Sequence, residues 1–291
     1  MNLNYLEETI RTSKYLVCLA GMEFMREQNV AYHRDSDESY RIEEKYGYSP
    51  EELFSARMFN THAELFYEYY RNEILSKHPE AGKGNEALAR LEEAGYLKTI
   101  ITKGIYNMPQ KAGCKNVINM YGNIYENNAC PRCGKIFPIE YIKNSDKVPL
   151  CDVCKSTVIH PGVYLHGEML SNTVISHAVE EVAKADTILV LGMNLNSSLC
   201  KDMLPHFTGK DLIVIHKEAH YLDEKATAAY HGAVSEILPV SCRKHTGCII
   251  FQYCFVHILT ISKTSYMKRR VGSLLFSDSP FHFSIPHPES L

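Results

Sequence analysis

Short apolar runs recur along the chain, and most of them stop at a glycine or a polar residue. A run that is apolar at nearly every position is typical of a strand buried on both faces of a parallel sheet. Gly21 closes the first run and Gly192 closes the third. The runs predict buried parallel strands at residues 15–20, 97–102, 187–191 and 212–215.

Between these runs the apolar residues recur at helical spacing. Leu88 and Leu91 mark one apolar face, and Gly95 stands where a left-handed residue commonly ends a helix. Helices are predicted at residues 63–75, 85–94 and 174–185. Because strands and helices alternate, we expect an α/β protein with a doubly wound parallel sheet, which binds ligands at the carboxyl ends of its strands.

Four cysteines interrupt this alternation in the middle of the chain. Two C-x-x-C pairs, Cys130 with Cys133 and Cys151 with Cys154, are separated by 17 residues. Each pair can deliver two thiolates from one tight turn, so the four cysteines have the spacing of a structural, tetrahedral Zn²⁺ site. Two disulfides, or four unrelated buried cysteines, are the alternatives. A zinc ion with four protein ligands has no open position, so the site predicts a role in folding and not in catalysis.

Composition narrows the class of protein. At 291 residues the chain is long enough for one large domain and a smaller module, and its net charge of −3 gives no reason to expect nucleic-acid binding. We expect no signal peptide and no membrane span, because no apolar run has the required flanks or length. Cys18, Cys114 and Cys200 lie among apolar residues, which is typical of reduced cysteines in a cytoplasmic protein.

Several short segments occur in an order that resembles a known family. They are AG at 20–21, TKGIYNMPQKAG at 102–113, VINMYG at 117–122, the four cysteines, HPGVYLHGE at 160–168, GMNL at 192–195 and IHKE at 215–218. This order is similar to that of the sirtuins, the Sir2-like NAD-dependent protein deacylases, and the chain resembles a divergent bacterial-type member. No single segment is decisive, but the collinear set extends over about residues 3–240.

The resemblance implies a sirtuin fold. A Rossmann-like NAD-binding domain would comprise residues 1–121 and 160–240, with a helical insertion at about 35–75, and a zinc-ribbon module would comprise residues 122–159. NAD and an acylated lysine of a protein or peptide would meet in the cleft between them, where the family uses a histidine as general base on a ribose hydroxyl. The cofactor-binding residues that the resemblance implies are Ala20, Gly21, Lys103, Gly104, Ile105, Tyr106, Gly192, Asn194 and Ser197. The substrate-binding residues are Gly167 and Glu168.

The chain departs from the family at its catalytic positions. Tyr121 stands at the position of the catalytic histidine, and a phenol with an ordinary pKa near 10 is a poor base at pH 7. Gly104 and Tyr106 replace the amide and the carboxylate that organise the nicotinamide, and Glu23 places a negative charge beside the expected pyrophosphate. His166 stands where the family has a phenylalanine, and we hypothesise that it partly replaces the missing base.

These departures leave two classes of function open. The first is an NAD-dependent protein lysine deacetylase or deacylase, a transferase with reduced or lost activity. The second is a module that binds NAD, ADP-ribose or an acylated peptide without turnover. An ADP-ribosyltransferase is a further alternative.

Several of the implied positions also have purely structural interpretations. Gly21, Gly192 and Asn194 could form ordinary strand-end turns, and Ser197 could cap the helix that follows it. The aromatic side chains of residues 40–67 could line the nicotinamide pocket or pack a small core of their own. Residues 241–291 change in character, with 6 basic and 2 acidic residues in 243–291, and we interpret them as a divergent, poorly ordered extension.

Overall fold

The computed structural model describes residues 3–27 and 36–239, and a parallel sheet of six strands lies at its centre. The strands are β1 (Leu16–Ala20), β2 (Leu97–Thr102), β3 (Val117–Asn119), β4 (Asn128–Ala129), β5 (Ile136–Phe137), β6 (Thr187–Leu191), β7 (Asp211–His216) and β8 (Ala228–His231). The order across the sheet is β3-β2-β1-β6-β7-β8, and β4 and β5 form a separate antiparallel pair.

Helices connect and cover these strands. They are α1 (Asn4–Thr12), α2 (Met22–Arg26), α3 (Ser36–Tyr46), α4 (Pro50–Leu53), α5 (Ala56–Thr61), α6 (Ala63–Tyr69), α7 (Lys83–Glu93), α8 (Met108–Lys111), α9 (Ile139–Lys143), α10 (Asn172–Lys184) and α11 (Ser198–Met203). The last turns of α6 widen into a π-helix at Tyr70–Leu75, and short 3₁₀ turns occur at Leu204–His206 and Tyr221–Lys225.

The predicted doubly wound sheet is confirmed. The four apolar runs form β1, β2, β6 and β7, and every residue of β1 and β6 is buried. The chain builds the sheet outward from β1 in one direction and then, from β6, in the other. The carboxyl ends of β1 and β6 therefore flank the crevice in which sheets of this kind bind ligands.

The predicted helix terminus at Gly95 is also confirmed. Gly95 has a φ of +82°, and its N–H donates to the carbonyl of Glu92 at 2.9 Å. The next residue, Tyr96, donates to the carbonyl of Leu91 at 3.0 Å. These two bonds satisfy carbonyl groups that the end of α7 leaves without helical partners, as in a Schellman motif.

Both faces of the sheet are covered by helices, as the continuous apolar strands require. Val17 and Val190 pack on one face with Val182 of α10. Cys18 and Leu189 pack on the opposite face in a cluster that includes residues of α1 and α7. Alternate residues of one strand thus serve two separate cores.

A third core joins the helical segment, residues 36–75, to the cysteine segment, residues 122–159. Phe66 and Tyr67 of α6 pack in one cluster with Phe137, Ile142 and Ile159, and the Tyr67 hydroxyl donates to the carbonyl of Ile159. Most aromatic side chains between residues 46 and 70 belong to this cluster, which supports the packing interpretation of that segment. The core is shared, however, and is not confined to the helical insertion.

Two strands of the six-stranded sheet were not predicted. β3 and β8 are short and lie at the two edges of the sheet, so they carry weak apolar patterns. The interpretation of residues 241–291 as a divergent tail concerns residues outside those described. Among the helices of the described part, none has the length and apolar character needed to cross a bilayer.

Candidate active-site cleft and metal centre

Four sulfur atoms converge in the cysteine segment. The Sγ atoms of Cys130 and Cys154 are 3.9 Å apart, those of Cys133 and Cys151 are 3.7 Å apart, and all four lie within 4.8 Å of one another. A tetrahedral zinc ion with Zn–S bonds of about 2.3 Å holds its sulfurs about 3.8 Å apart. Disulfides require about 2.05 Å, so the disulfide alternative is wrong. The donor set is that of a closed, structural zinc site.

Two tight turns position the sulfurs. Each C-x-x-C pair is followed by a residue with positive φ, Gly134 at +73° and Lys155 at +63°. The N–H of Gly134 donates to the carbonyl of Cys130 at 2.9 Å, and that of Lys155 donates to Cys151 at 2.8 Å. Burial opposes ionisation, but backbone N–H groups of the turn, aided by the thiols of Cys133 and Cys151, outweigh it and lower the pKa of Cys130 to about 6. Burial and the other three cysteines raise the pKa of Cys154 to about 12, so the cluster without a metal favours a thiolate at Cys130.

A cleft of about 670 Å³ opens at the carboxyl ends of β1, β2 and β6. One wall comes from the loops that follow these strands, and another comes from residues 164–168. The helical segment contributes Ile42 and Tyr69. This volume lies within the range of about 300–1,000 Å³ that is usual for small-molecule sites.

Two glycines allow the loops after β1 and β6 to touch. A Cβ on Gly21 would lie 2.6 Å from the Cβ of Met193, and a Cβ on Gly192, whose φ is +61°, would lie 2.3 Å from the Phe24 nitrogen. The N–H of Gly21 donates to the carbonyl of Leu191 at 2.8 Å, and the N–H of Gly192 donates to the carbonyl of Ile215 at 2.8 Å. These glycines therefore hold the floor of the cleft together, and their own N–H groups are committed to the fold.

Hydroxyl and ammonium groups converge above this floor. The Nζ of Lys103 donates to Ser198 Oγ and lies 5.3 Å from the centre of the Tyr121 ring. Ser197 accepts from the N–H of Cys200 at 3.3 Å and so caps α11, as the structural alternative predicted. The Lys103 ammonium and the hydroxyl groups of Ser197 and Ser198 thus line this part of the cleft, which suits an anionic ligand.

The turn after β2 is organised by the fold. Gly104 donates its N–H to Thr102 Oγ1 at 3.0 Å. Tyr106 is 5% exposed, and its hydroxyl donates to the carbonyl of Ile74 at 3.2 Å. Burial raises the pKa of Tyr106 well above its ordinary value. Tyr106 therefore contributes a neutral phenol and no carboxylate to this end of the cleft.

His166 lies on the opposite wall, in an extended segment that is hydrogen-bonded to the helical segment. Its N–H donates to the carbonyl of Phe54 at 3.0 Å, and its carbonyl accepts from the N–H of Ala56 at 3.0 Å. Its ring meets that of Phe54 edge-on, with centroids 6.3 Å apart. The imidazole is exposed, so it is accessible to a ligand in the cleft.

Glu168 is held in place by its neighbours. Its Oε2 accepts from the N–H of Leu165 at 2.8 Å, and its Oε1 lies 2.7 Å from His160 Nε2. Gly167, between the two cleft residues, has a φ of +91°. These contacts fix the turn that presents the backbone of residues 165–168 to the cleft.

Comparison with known proteins decides the family. The sequence profile of the Sir2 family matches residues 26–198. An NAD-dependent protein deacetylase from Clostridium acetobutylicum is 32% identical over 237 residues, which is 81% of this chain and 96% of that protein. The chain belongs to the Sir2 family. An NAD-dependent protein deacylase 1 from Archaeoglobus fulgidus is 29% identical and covers 80% of this chain and 94% of its own length.

Solved sirtuin structures share the fold. One, described as the structural basis of sirtuin substrate affinity, has a TM-score of 0.75 at 26% identity and covers 85% of this chain and all of its own. A second is a Sir2 mutant, with tyrosine in place of a histidine, together with a p53 peptide and NAD. It has a TM-score of 0.70 at 26% identity and covers 84% of this chain and 99% of its own.

Most residues predicted from the sirtuin resemblance line the one cleft. Those that do are Gly21, Lys103, Gly104, Ile105, Tyr106, Tyr121, His166, Gly167, Glu168, Gly192 and Ser197. Ala20 is buried at the end of β1, and Asn194 uses its Oδ1 to accept from the N–H of Asn196 at 2.9 Å. Neither of these two side chains is part of the cleft lining, and Asn194 forms the turn that the structural alternative described.

The sirtuin motifs did not reveal some of the residues in the cleft. Glu38 and Lys77 line it as an ion pair with a separation of 3.3 Å, and Tyr164 and Met193 line it beside predicted residues. The pair comes from α3 and from the chain after the π-helix, so no local pattern relates its members. Tyr164 and Met193 lie inside the motif segments 160–168 and 192–195, and this position was the available signal for them.

Proposed function

We propose that this chain is an NAD-dependent protein lysine deacylase of the sirtuin type whose turnover is reduced or lost. The observation that supports the proposal most strongly is that residues from five separate sirtuin motifs line one cleft of about 670 Å³, with Tyr121 among them. The names of the relatives, deacetylase and deacylase, support the same reaction class. The substrates would be NAD and an acylated lysine in a protein or peptide.

The residues of the cleft suit the phosphates of NAD only in part. Lys103 and Ser198 offer a cation and a hydroxyl, and the volume is adequate. Against this, the glycine N–H groups are used by the fold, and Glu23, which lines the cleft, adds a negative charge. NAD, when bound, supplies an electrophilic ribose carbon from which nicotinamide can leave. We propose that this chain binds NAD at a weakened site centred on Lys103.

Tyr121 is the reason to expect slow chemistry. It places a phenol where the family has a base, and its ring lies 5.3 Å from the Lys103 ammonium. A phenol can donate a hydrogen bond to a ribose hydroxyl but is a weak proton acceptor at pH 7. We keep His166, on the facing wall, as the residue that could accept the proton instead. The solved Sir2 mutant with tyrosine supports the view that such a substitution is compatible with bound NAD and peptide.

The same residue favours a second candidate function. If neither Tyr121 nor His166 accepts a proton, the cleft would bind NAD, ADP-ribose or an acylated peptide without turnover. Glu168 would still present the backbone of residues 165–168 for pairing with an extended peptide, because its hydrogen bonds to Leu165 and His160 hold the turn in place.

The zinc site and the domain boundaries complete the proposal. Zinc would hold residues 122–159 as a ribbon module on the Rossmann-like domain of residues 1–121 and 160–240. We also propose that the protein acts in the cytoplasm, because a reducing compartment keeps such cysteines as thiols. Cys18 and Cys200 support this, since both are buried without a disulfide partner among the described residues.

A turnover assay separates these functions. The full chain is incubated with NAD and an acetyl-lysine peptide, while released nicotinamide is quantified and the peptide is followed by mass spectrometry. The proposal predicts slow nicotinamide release that depends on the acyl group and is matched by peptide deacylation. Release with ADP-ribose attached to protein would indicate an ADP-ribosyltransferase. No release, with NAD bound in calorimetry, would favour the binding module, and absence of both would refute the proposal.

A further inference from the structure

We propose that His216, Asp223 and His231 form a second metal site, which binds a divalent transition-metal ion such as Zn²⁺ or Co²⁺. His216 and His231 lie at the carboxyl ends of β7 and β8, the last two strands at one edge of the sheet, and Asp223 lies in the connection between these strands. None of the three lines the cleft. One ligand atom from each lies within 4.8 Å of the other two. Two imidazoles and one carboxylate are a donor set that binds these ions.

The sheet itself brings the two histidines together. His216 is the last residue of β7, His231 is the last residue of β8, and the two are direct partners in the parallel register. Side chains paired in this way project from the same face of a sheet. Their rings meet edge-on, with centroids 5.4 Å apart. The juxtaposition therefore follows from the strand pairing.

The carboxylate comes from the connection between the strands. Asp223 lies in the 3₁₀ turn Tyr221–Lys225 and points one oxygen at each ring. Its Oδ1 is 3.0 Å from His216 Nε2, and its Oδ2 is 2.9 Å from His231 Nε2. The N–H of His220 donates to Oδ2 at 2.8 Å, which fixes the carboxylate from behind. Such an outer hydrogen bond is usual for ligands of a metal.

These distances are close to those of a bound ion. Metal–ligand bonds of about 2.0–2.1 Å in a tetrahedral site place neighbouring N and O ligands about 3.3 Å apart. Small rotations of the side chains would admit an ion between the three ligand atoms. Each ring would bind the ion through the lone pair of Nε2, so binding needs no oxidant or co-reactant.

Burial favours a defined site with one entrance. The side chains of His216 and Asp223 are 5% and 10% exposed, whereas that of His231 is 40% exposed. Burial of Asp223 raises the pKa of this carboxyl, but hydrogen bonds from the His220 backbone and from the two rings outweigh burial and lower it. An ion would enter past His231, and a water molecule would complete its coordination.

Cobalt is a probe that distinguishes this site from the four-cysteine site. The purified full chain, loaded with zinc and washed with a mild chelator, is titrated with Co²⁺ alone. Cobalt held by nitrogen and oxygen gives weak visible bands without the intense near-ultraviolet absorption of cobalt thiolates. We expect such bands, saturating at about one ion per chain for a three-ligand site.

Variants at the site and away from it show whether the cobalt bands come from these three side chains. His231→Gln, at the exposed end of the site, and Asp223→Asn should each abolish them, while His177→Gln on the exposed face of α10 should retain them. The difference between variants is the readout, because the chain also contains cysteines and histidines after residue 240. Circular dichroism checks that the variants are folded. Absence of the bands in the wild type, or their persistence in both site variants, would overturn the proposal and leave the three side chains as a hydrogen-bonded array only.

Discussion

Replacing Tyr121 by histidine should increase nicotinamide release. The substitution returns an imidazole to the position where the resemblance expects the general base. Positioned general bases contribute about 10²–10⁴-fold to rate. Gly104 and Tyr106 would still lack the amide and the carboxylate that the family uses, so we expect a gain near the lower limit, about 10²-fold over the wild type.

Lys103 sets the protonation state of the new imidazole. Its Nζ lies 5.3 Å from the present Tyr121 ring. Coulomb's law at that distance gives a repulsion between the ammonium and a protonated imidazole of about 0.8 kcal/mol in a medium like water and about 3 kcal/mol at an effective dielectric constant of 20. Both side chains are only half-buried, and solvent screens them, so we take a repulsion of about 1 kcal/mol. This lowers an ordinary histidine pKa by about 0.7 and leaves the base mainly neutral at pH 7.

The assay follows nicotinamide release from NAD with an acetyl-lysine peptide between pH 6 and 9. Tyr121→Phe is the matched control, because it removes only the hydroxyl and should leave the slow wild-type rate unchanged. If Tyr121→His binds both ligands but is no faster than the wild type, the missing base is not what limits turnover. If Tyr121→Phe abolishes the activity, the phenol itself participates and the reasoning is wrong.

Three further predictions concern metal, stability and cofactor. Cys151→Ser should lower bound zinc by about one ion per chain and the midpoint of thermal unfolding by several degrees, since a structural zinc contributes directly to folding; elemental analysis and calorimetry check this. Burial raises the pKa of Glu73, but hydrogen bonds led by that from Arg41 outweigh burial and lower it to about 2. A carboxyl with a depressed pKa stabilises the folded protein above its ordinary pKa of 4.5, and this contribution is lost as the pH falls towards 2. Glu73→Gln should therefore lower the free energy of unfolding in urea by about 1–3 kcal/mol at pH 7 and by less below pH 4.5. Glu64→Gln, which removes one partner of an exposed ion pair, should lower it by less than about 1 kcal/mol at either pH. Glu23→Gln should tighten NAD binding several-fold in calorimetry at low salt, and an unchanged affinity would show that this carboxylate does not face the phosphates.

Much of the central fold could be predicted because its signals are local. Strands buried on both faces must be apolar throughout, and this requirement alone located β1, β2, β6 and β7. The four cysteines were equally direct, because two tight turns and one metal fix their spacing. The edge strands β3 and β8 gave weaker signals, since a short strand with one neighbour needs fewer apolar residues.

The shared third core could not be foreseen from local pattern. Tyr67 contacts Ile159, which lies 92 positions further along the chain, and only the packing of the helical segment against the cysteine segment brings them together. Glu73 is similar, because its buried carboxylate is compensated by Arg41, 32 positions away. A buried charge of this kind reads in the sequence as an ordinary surface residue.

The candidate site was predicted where motifs are contiguous and missed where they are not. Residues 103–106 and 166–168, which the motifs suggested, line the cleft, because each segment is a single turn or strand. The ion pair of Glu38 with Lys77 is formed between distant elements and carries no motif. The resemblance suggested Gly21 and Gly192 as cofactor-binding residues. In the structure they let two loops touch, and their N–H groups already donate to backbone carbonyls of the fold.

Calorimetric titration of the zinc-loaded full chain with NAD, with and without an acetyl-lysine peptide, tests the central claim most directly. We predict that one NAD binds per chain, that the peptide increases its affinity, and that ADP-ribose competes for the same site. A folded, zinc-containing chain that gives no heat with NAD at millimolar concentration, whether or not the peptide is present, would contradict the account.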